Sequence, residues 1–134
     1  MEYSINYWAV LVAAASSFVL GALWYGPLFG KVWMKASGVT DEDIKNTNFA
    51  KVYGVTFVMS VVAAYVLAHV VDRFDASGLV GGLQTGFWTW LGFMFTVKVT
   101  DALFNRTSFA LVWIDSGYRL VWAVVMGIIL AMWR

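Results

Sequence analysis

Four ionisable residues lie in or beside the last two apolar stretches of the chain, where charge is costly. Asp115 and Arg119 are four residues apart inside one stretch, so a helix places both side chains on one face. Lys98 and Asp101 lie three apart in the preceding stretch. If the two stretches form a hairpin that turns near Arg106, Lys98 stands level with Asp115. The pattern predicts an intramembrane polar cluster of zero net formal charge.

The cluster has two interpretations. An ionised group inside a bilayer costs at least about 2.5–3.5 kcal/mol, so it is either paired or functional. One interpretation is an ion pair that fixes the register of the hairpin, and the complete local pairing favours it. The other is a polar or proton-titrating site that faces a water-filled cavity. Tyr118 adds a hydroxyl to this segment, and Gly117 permits close approach of another backbone or of a ligand.

The third apolar stretch carries aromatic residues near its middle, away from the expected membrane interfaces. They form either a flat pocket for a lipid, quinone or other apolar ligand, or a set of bulky groups that pack against small residues. We favour packing, because aromatic core filling is common. The residues are Phe87, Trp88, Trp90 and Phe93.

Several classes of chemistry are disfavoured by composition. The chain has no cysteine and one histidine, His69, which excludes thiolate chemistry and multi-histidine metal sites within one chain. No phosphate-binding loop, nucleophile elbow, zinc motif or dinucleotide fingerprint occurs. The net charge is +1, with no basic tail and no nucleic-acid motif. We expect no enzyme activity, no cofactor, no metal and no nucleic-acid partner.

The apolar content indicates an integral membrane protein. The sequence is 61% hydrophobic and 13% charged, whereas soluble domains have about 45–50% and about 25%. So much apolar surface would aggregate in water but suits contact with membrane lipid. We predict an all-α fold, a single transmembrane domain over 1–134 that forms a four-helix bundle. Its spans are predicted at about 7–25, 50–71, 79–104 and 109–133.

The long connection between the first two spans predicts a short interfacial helical segment. A turn at Gly38 precedes Thr40, which opens a capping-box-like start with carboxylates in the first turn. Trp24 and Tyr25, just before Gly26-Pro27, are placed in the interfacial aromatic belt.

Lysine and arginine counts predict the orientation in the cell (plasma or inner) membrane. Six basic residues fall on one side and two on the other, so the first and third connections are predicted to be cytoplasmic. Both termini then face the non-cytoplasmic side. The six are Lys31, Lys35, Lys45, Lys51, Lys98 and Arg106, and the two are Arg73 and Arg134.

Small residues recur at helical spacing in every predicted span. Such residues let helix backbones approach closely in lipid. Four short helices need not use all of these faces internally, so we also expect a homo-oligomer. The glycines assigned to packing are Gly21, Gly82, Gly86, Gly117 and Gly127.

Five phrases of the sequence resemble a family of small membrane proteins, the domain-of-unknown-function 1761 family. They lie at 21–35, 38–42, 86–93, 114–121 and 126–133. The resemblance implies a four-helix membrane protein and supplies no activity. Small multidrug-resistance transporters are of similar size, but their functional acid lies in helix one. This chain has no acidic residue between Tyr3 and Tyr25.

Three functions remain open from the sequence. The first is a compact, self-associating membrane packing or interaction protein. The second is a small transporter or channel with a polar site at Asp115, Arg119 and Lys98. The third is a binder of an apolar ligand, lipid or quinone at the aromatic residues of the third span. The identity of any small-molecule or ion substrate does not follow from the sequence.

Overall fold

Helices make up all the regular structure of residues 5–134, the part of the chain that this computed structural model describes. Residues 1–4 of the predicted domain lie outside the described residues. Two helices are extended by wide π-helical turns, Trp24–Leu28 after α1 and Leu91–Phe95 between α5 and α6. The α-helices are α1 (Tyr7–Leu23), α2 (Gly30–Ser37), α3 (Asp41–Lys45), α4 (Phe49–Arg73), α5 (Gly78–Trp90), α6 (Thr96–Asn105) and α7 (Phe109–Met132).

Three helices are long and apolar enough to cross a membrane. They are Tyr7–Leu28, Phe49–Arg73 and Phe109–Met132, with 22, 25 and 24 residues, and a span needs about 20. The predicted third span, 79–104, is helical but does not belong to this set. It holds several glycines and threonines, Gln84 and two charges, and these lower its hydropathy.

Side-chain caps fix where the long helices begin. Asn6 accepts hydrogen bonds from the Trp8 and Ala9 amides at the start of α1. Asn48 accepts from the Lys51 amide at the start of α4, and Ser108 opens α7 in the same way. Because the first amides of a helix have no intrahelical acceptor, these polar residues hold helix starts that their apolar neighbours alone do not define.

The α5–α7 hairpin is packed backbone against backbone. A Cβ atom on Gly82 would lie 2.5 Å from the Ile128 Cα, and one on Gly127 would lie 2.5 Å from the Gly82 carbonyl oxygen. A Cβ on Gly86 would overlap the Ala123 carbonyl oxygen. Only glycine fits at these three positions, which we call the glycine seam.

Small residues also join α1 to α4. Ala9, Ala13 and Ser17 are buried on α1 and face the buried Ser60 and the alanines of α4, with a hydroxyl contact of 3.3 Å between Ser17 and Ser60. The stripes of small residues are thus used inside one copy of the chain. Much of the surface that motivated the expected self-association is therefore used within one copy, and self-association stays a prediction.

The two remaining predicted packing glycines contact aromatic side chains. A Cβ on Gly21 would lie 3.1 Å from the Tyr118 hydroxyl, and one on Gly117 would lie 2.9 Å from the Trp24 ring. Both glycines therefore make room for rings between α1 and α7.

Both described chain ends lie at one end of the helices. The Asn6 amide donates to the Trp133 carbonyl at 3.1 Å. The Arg134 guanidinium binds Asp75 and Asp72 in the α4–α5 turn, each at 3.0 Å. The hydrogen bond to Asp75 is the main reason that the pKa of Arg134 is raised above its ordinary value.

The connector between α1 and α4 consists of the two short helices α2 and α3. Gly38, at φ 74°, ends α2 in the left-handed conformation. Thr40 and Asp43 form a capping box at the start of α3. The Thr40 backbone amide, which donates to the carboxylate, holds the pKa of Asp43 below its usual range. The box is therefore intact at neutral pH and is lost only as pH falls through that lowered pKa.

We predict that Gly86→Ala destabilises the protein by about 1–3 kcal/mol, because its methyl group meets rigid backbone rather than a movable side chain. The matched control is Gly54→Ala on α4, where a Cβ has open space. We expect the control to be neutral or to stabilise, since alanine favours helix by about 1 kcal/mol over glycine. Thermal unfolding in detergent compares them, and equal stability of the two variants would contradict the seam.

Candidate functional site

The Asp115 carboxylate joins three helical segments. The Lys98 ammonium of α6 lies 3.0 Å from its Oδ2 atom. The Tyr25 hydroxyl, in the π-helical turn after α1, donates to Oδ1 at 2.6 Å. Both carboxylate oxygens are thus occupied. The side chains of Lys98 and Asp115 are 36% and 24% exposed, so the pair is neither fully buried nor fully open to solvent.

Two indole groups hold the backbone on either side of Asp115. The Trp24 Nε1–H group donates to the Ile114 carbonyl at 2.9 Å, and the Trp90 Nε1–H group donates to the Ser116 carbonyl at 2.8 Å. A helix carbonyl has a second lone pair that can accept such a bond. Three consecutive residues of α7 are therefore each held by a side chain from another segment.

The two π-helical turns lie next to the side chains that bind residues 114–116 of α7. Trp24 and Tyr25 are the first two residues of one turn, and Trp90 immediately precedes the other. A π turn widens the helix and shifts the direction of successive side chains, and such turns are frequent at functional sites. Here two neighbouring residues of the first π turn, Trp24 and Tyr25, reach two neighbouring residues of α7, Ile114 and Asp115.

Tyr118 serves packing between helices. Its hydroxyl donates to the Ser17 carbonyl of α1 at 2.9 Å, and Gly21 leaves space beside it. Its ring also makes an edge contact with Tyr25, at 5.2 Å between centroids. Tyr118, which the sequence placed in the polar cluster, therefore binds α1 and packs against Tyr25, the residue that binds Asp115.

Arg119 is exposed and stands apart from the ion pair. Its guanidinium carbon lies 5.3 Å from the Tyr118 ring centroid and 5.1 Å from the Trp122 ring centroid, a cation–π arrangement. Among residues 5–134 no carboxylate lies within ion-pair distance of it. Of the two partners expected for Asp115, Lys98 or Arg119, the structure pairs it with Lys98, so the expected complete pairing does not extend to Arg119.

A cleft of about 1060 Å³ opens beside these residues. Its floor is α6 and α7, its two walls are the start of α4 and the second π turn, and α2 and α3 cover it. The floor residues are Lys98, Asp115, Ser116, Arg119 and Trp122. The walls include Phe49, Val52, Tyr53, Phe93, Met94 and Val97, and the cover includes Trp33, Met34, Val39 and Ile44.

The cleft lies between α4 and α6, which are not packed against one another. α1 packs against α4 and α7, and α4 packs against α7 and weakly against α5, but α4 and α6 do not form a packed pair. Residues 49–59 of α4 are exposed throughout. The far end of the molecule is filled instead, with Met126 and Val71 almost completely buried.

Some of the other predicted site residues line the cleft and others lie outside it. Asp101 is exposed at the rim of the cleft. Phe93 is 77% exposed and lines the cleft, whereas Trp88 is 62% exposed and lies outside it. Phe87 and Trp90 form a ring cluster on α5, 6.0 Å apart between centroids. The predicted aromatic set is thus not one pocket in the described part of the chain.

Two buried donors in the cleft floor lack a hydrogen-bond partner within residues 5–134. They are the Ser116 hydroxyl and the Trp122 indole N–H, on residues that are 3% and 5% exposed. Unpaired buried donors are rare and call for an explanation. Sequence reasoning missed both, and it placed Tyr25 in an interfacial belt. The sequence did offer a signal for the contact with Asp115. Tyr25 carries a hydroxyl group, and next to Gly26-Pro27 it lies at the depth of Asp115.

The chain belongs to a family described as "Protein of unknown function (DUF1761)", whose profile matches residues 8–131. This confirms the resemblance seen in the sequence. No curated protein and no solved structure matches the chain. The family assignment names no activity, so the functional argument rests on the geometry of the cleft.

We predict that Asp115→Asn destabilises the protein by about 1–3 kcal/mol, between the values for exposed and buried ion pairs, because Lys98 loses its charged partner. Thermal unfolding in detergent at neutral pH is the measurement. Asp101→Asn, which removes an exposed carboxylate nearby, is the control and should leave stability unchanged. An Asp115→Asn protein as stable as wild type would mean that the ion pair does not hold the hairpin.

Proposed function

We propose that the chain is a multi-pass protein of the cell membrane with four spans. The helical run 78–105, which is third in chain order, is added to the three long apolar helices. The meeting of Asn6 with Trp133 at one end supports this, because a chain whose ends meet crosses the molecule an even number of times. Three spans would separate the two ends. The exposed apolar residues of α4, such as Val58 and Val62, suit contact with lipid. The excess of basic residues then places both termini on the non-cytoplasmic side.

The absence of cysteine makes this topology directly testable. Single cysteines at Ser77 and Asn105, both exposed, bracket the run 78–105. We predict that a membrane-impermeant maleimide added to intact cells labels Ser77→Cys and not Asn105→Cys, whereas lysed cells allow both. Labelling of both sites in intact cells, or of neither, would show that this run does not cross the membrane.

We propose further that the protein binds a small molecule in the cleft, as a carrier does. The observation that supports this is the cleft itself, whose volume of about 1060 Å³ is at the upper end of ligand sites. Its walls are apolar, and a few polar groups converge on its floor, the composition expected of such a site. The proposed role is binding and transport rather than catalysis.

The closed end of the cleft favours a carrier over a pore. The cleft stops at Trp122, and beyond it Met126 and Leu130 are packed with 0% and 3% exposure. Conduction needs a continuous path, while a carrier needs a site that is open to one side at a time. The cleft lies at the end that the basic residues place in the cytoplasm, so this is the inward-facing arrangement.

A cleft-filling variant tests the proposal. Val52 lines the cleft and Val55, one turn along the same helix, does not; both are half exposed. We predict that wild type and Val55→Trp, extracted in mild detergent, carry the same bound small molecule in native mass spectrometry. Val52→Trp should lose it. Retention by all three proteins, or by none, would count against a ligand in the cleft.

A further inference from the structure

We propose that the cleft takes an anionic amphiphile, with its carboxylate or phosphate head on Arg119 and its chain along the apolar walls; this rests on the proposed binding function. The first support is charge. Lys98 and Asp115 neutralise one another at 3.0 Å, so Arg119 is the described lining cation without a carboxylate in ion-pair distance, although Asp43 and Asp101 also line the cleft.

Arg119 is also arranged to bind an anion. Its guanidinium lies over the rings of Tyr118 and Trp122, which leaves the hydrogen-bonding edge of the guanidinium plane available. A planar guanidinium presents donors in a fixed fork that matches carboxylate and phosphate oxygens. No described acceptor occupies that fork.

The unpaired donors of the floor give a second, independent observation. The Ser116 hydroxyl and the Trp122 indole N–H are buried without a partner within the described residues, and both residues line the cleft beside Arg119. Three donors without an acceptor among the described residues, one exposed and two buried, therefore lie within two turns of α7. An anionic head group on Arg119 would bring an acceptor to the same stretch of α7.

The rim and walls select an amphiphile over a soluble anion. Asp43 and Asp101 stand at the rim and repel an anion that approaches from water. The unpacked gap between α4 and α6, bordered by Val52 and Phe93, is apolar and lies at the membrane depth of the proposed spans. An acyl chain can enter there from the lipid and carry its head to Arg119 without crossing the acidic rim.

Four probes separate the contributions of head and chain. Dodecyl phosphate has both, dodecanol has the chain alone, and inorganic phosphate has the head alone. Dioctanoyl phosphatidate, with two chains, distinguishes a membrane lipid from a single-chain amphiphile. Binding to the full chain in a neutral detergent is measured by native mass spectrometry. We expect wild type to bind dodecyl phosphate about tenfold or more tightly than dodecanol, and to bind inorganic phosphate weakly.

Variants test whether Arg119 causes the preference for dodecyl phosphate over dodecanol. Arg119→Gln should bind dodecyl phosphate and dodecanol alike, and Lys31→Gln, which removes a cation outside the cleft, should behave as wild type. If Arg119→Gln does not fold, Arg119→Lys keeps the charge but loses the fork, and it should lose part of the preference. A phosphatidate that matches dodecyl phosphate in affinity identifies membrane lipid as the source.

The failures of the two proposals are distinguishable. Equal binding of dodecyl phosphate and dodecanol to wild type, abolished by Val52→Trp, would overturn the role of Arg119 and leave the cleft as a ligand site. A head-group preference that survives in Arg119→Gln would do the same. No binding of either chain-bearing probe to wild type would overturn the amphiphile, while the molecule retained on extraction still tests the cleft.

Discussion

Direct backbone contact between α5 and α7 is the constraint on which the other features depend. Gly82, Gly86 and Gly127 bring the two helices together without intervening side chains, and this fixes their register. In lipid, where apolar side chains gain little from leaving the solvent, such close packing replaces the hydrophobic effect as the source of helix association. α7 then becomes the central helix, because α1 and α4 also pack on it. The depth of Asp115 within the molecule follows from this register.

The hydrogen bonds and the ion pair around Asp115 hold the floor of the cleft rigidly at that register. Trp24, Tyr25 and Trp90 each donate to one of three consecutive residues of α7, and Lys98 completes the carboxylate. A carboxylate with both oxygens bonded has lost its freedom to rotate towards Arg119. The partial burial of the Lys98–Asp115 pair indicates that it helps to hold the structure. Because Asp115 is already paired, Arg119, one turn along α7, has no carboxylate partner among the described residues. The ion pair and the unpaired state of Arg119 are in this sense consequences of a single arrangement.

The cleft lies where this packing stops. Half of the molecule is filled by Ala13, Ala64, Met126 and their neighbours, while the cytoplasmic half, as we propose it, is held apart. There α4 and α6 are not packed together, and residues of the two short helices α2 and α3 line the opening. A compact bundle alone would bury Ser116 and Trp122 against acceptors. Both donors instead remain without a hydrogen-bond partner among the described residues, beside the cleft.

Local features of the sequence determined much of the fold. Helical periodicity, the Thr40 capping box and the turn near Arg106 are set by neighbouring residues, so they were predictable, and so was the level of Lys98 against Asp115 across a short hairpin. Tertiary structure alone decided the rest. Tyr25 reaches Asp115 across 90 residues, and its partner depends on how α1 docks and on the π turn. The unpaired state of Arg119 depends on the partners that Asp115 finds on other segments, and the cleft depends on α4 and α6 not packing together. Both are properties of the whole packing and of no single segment.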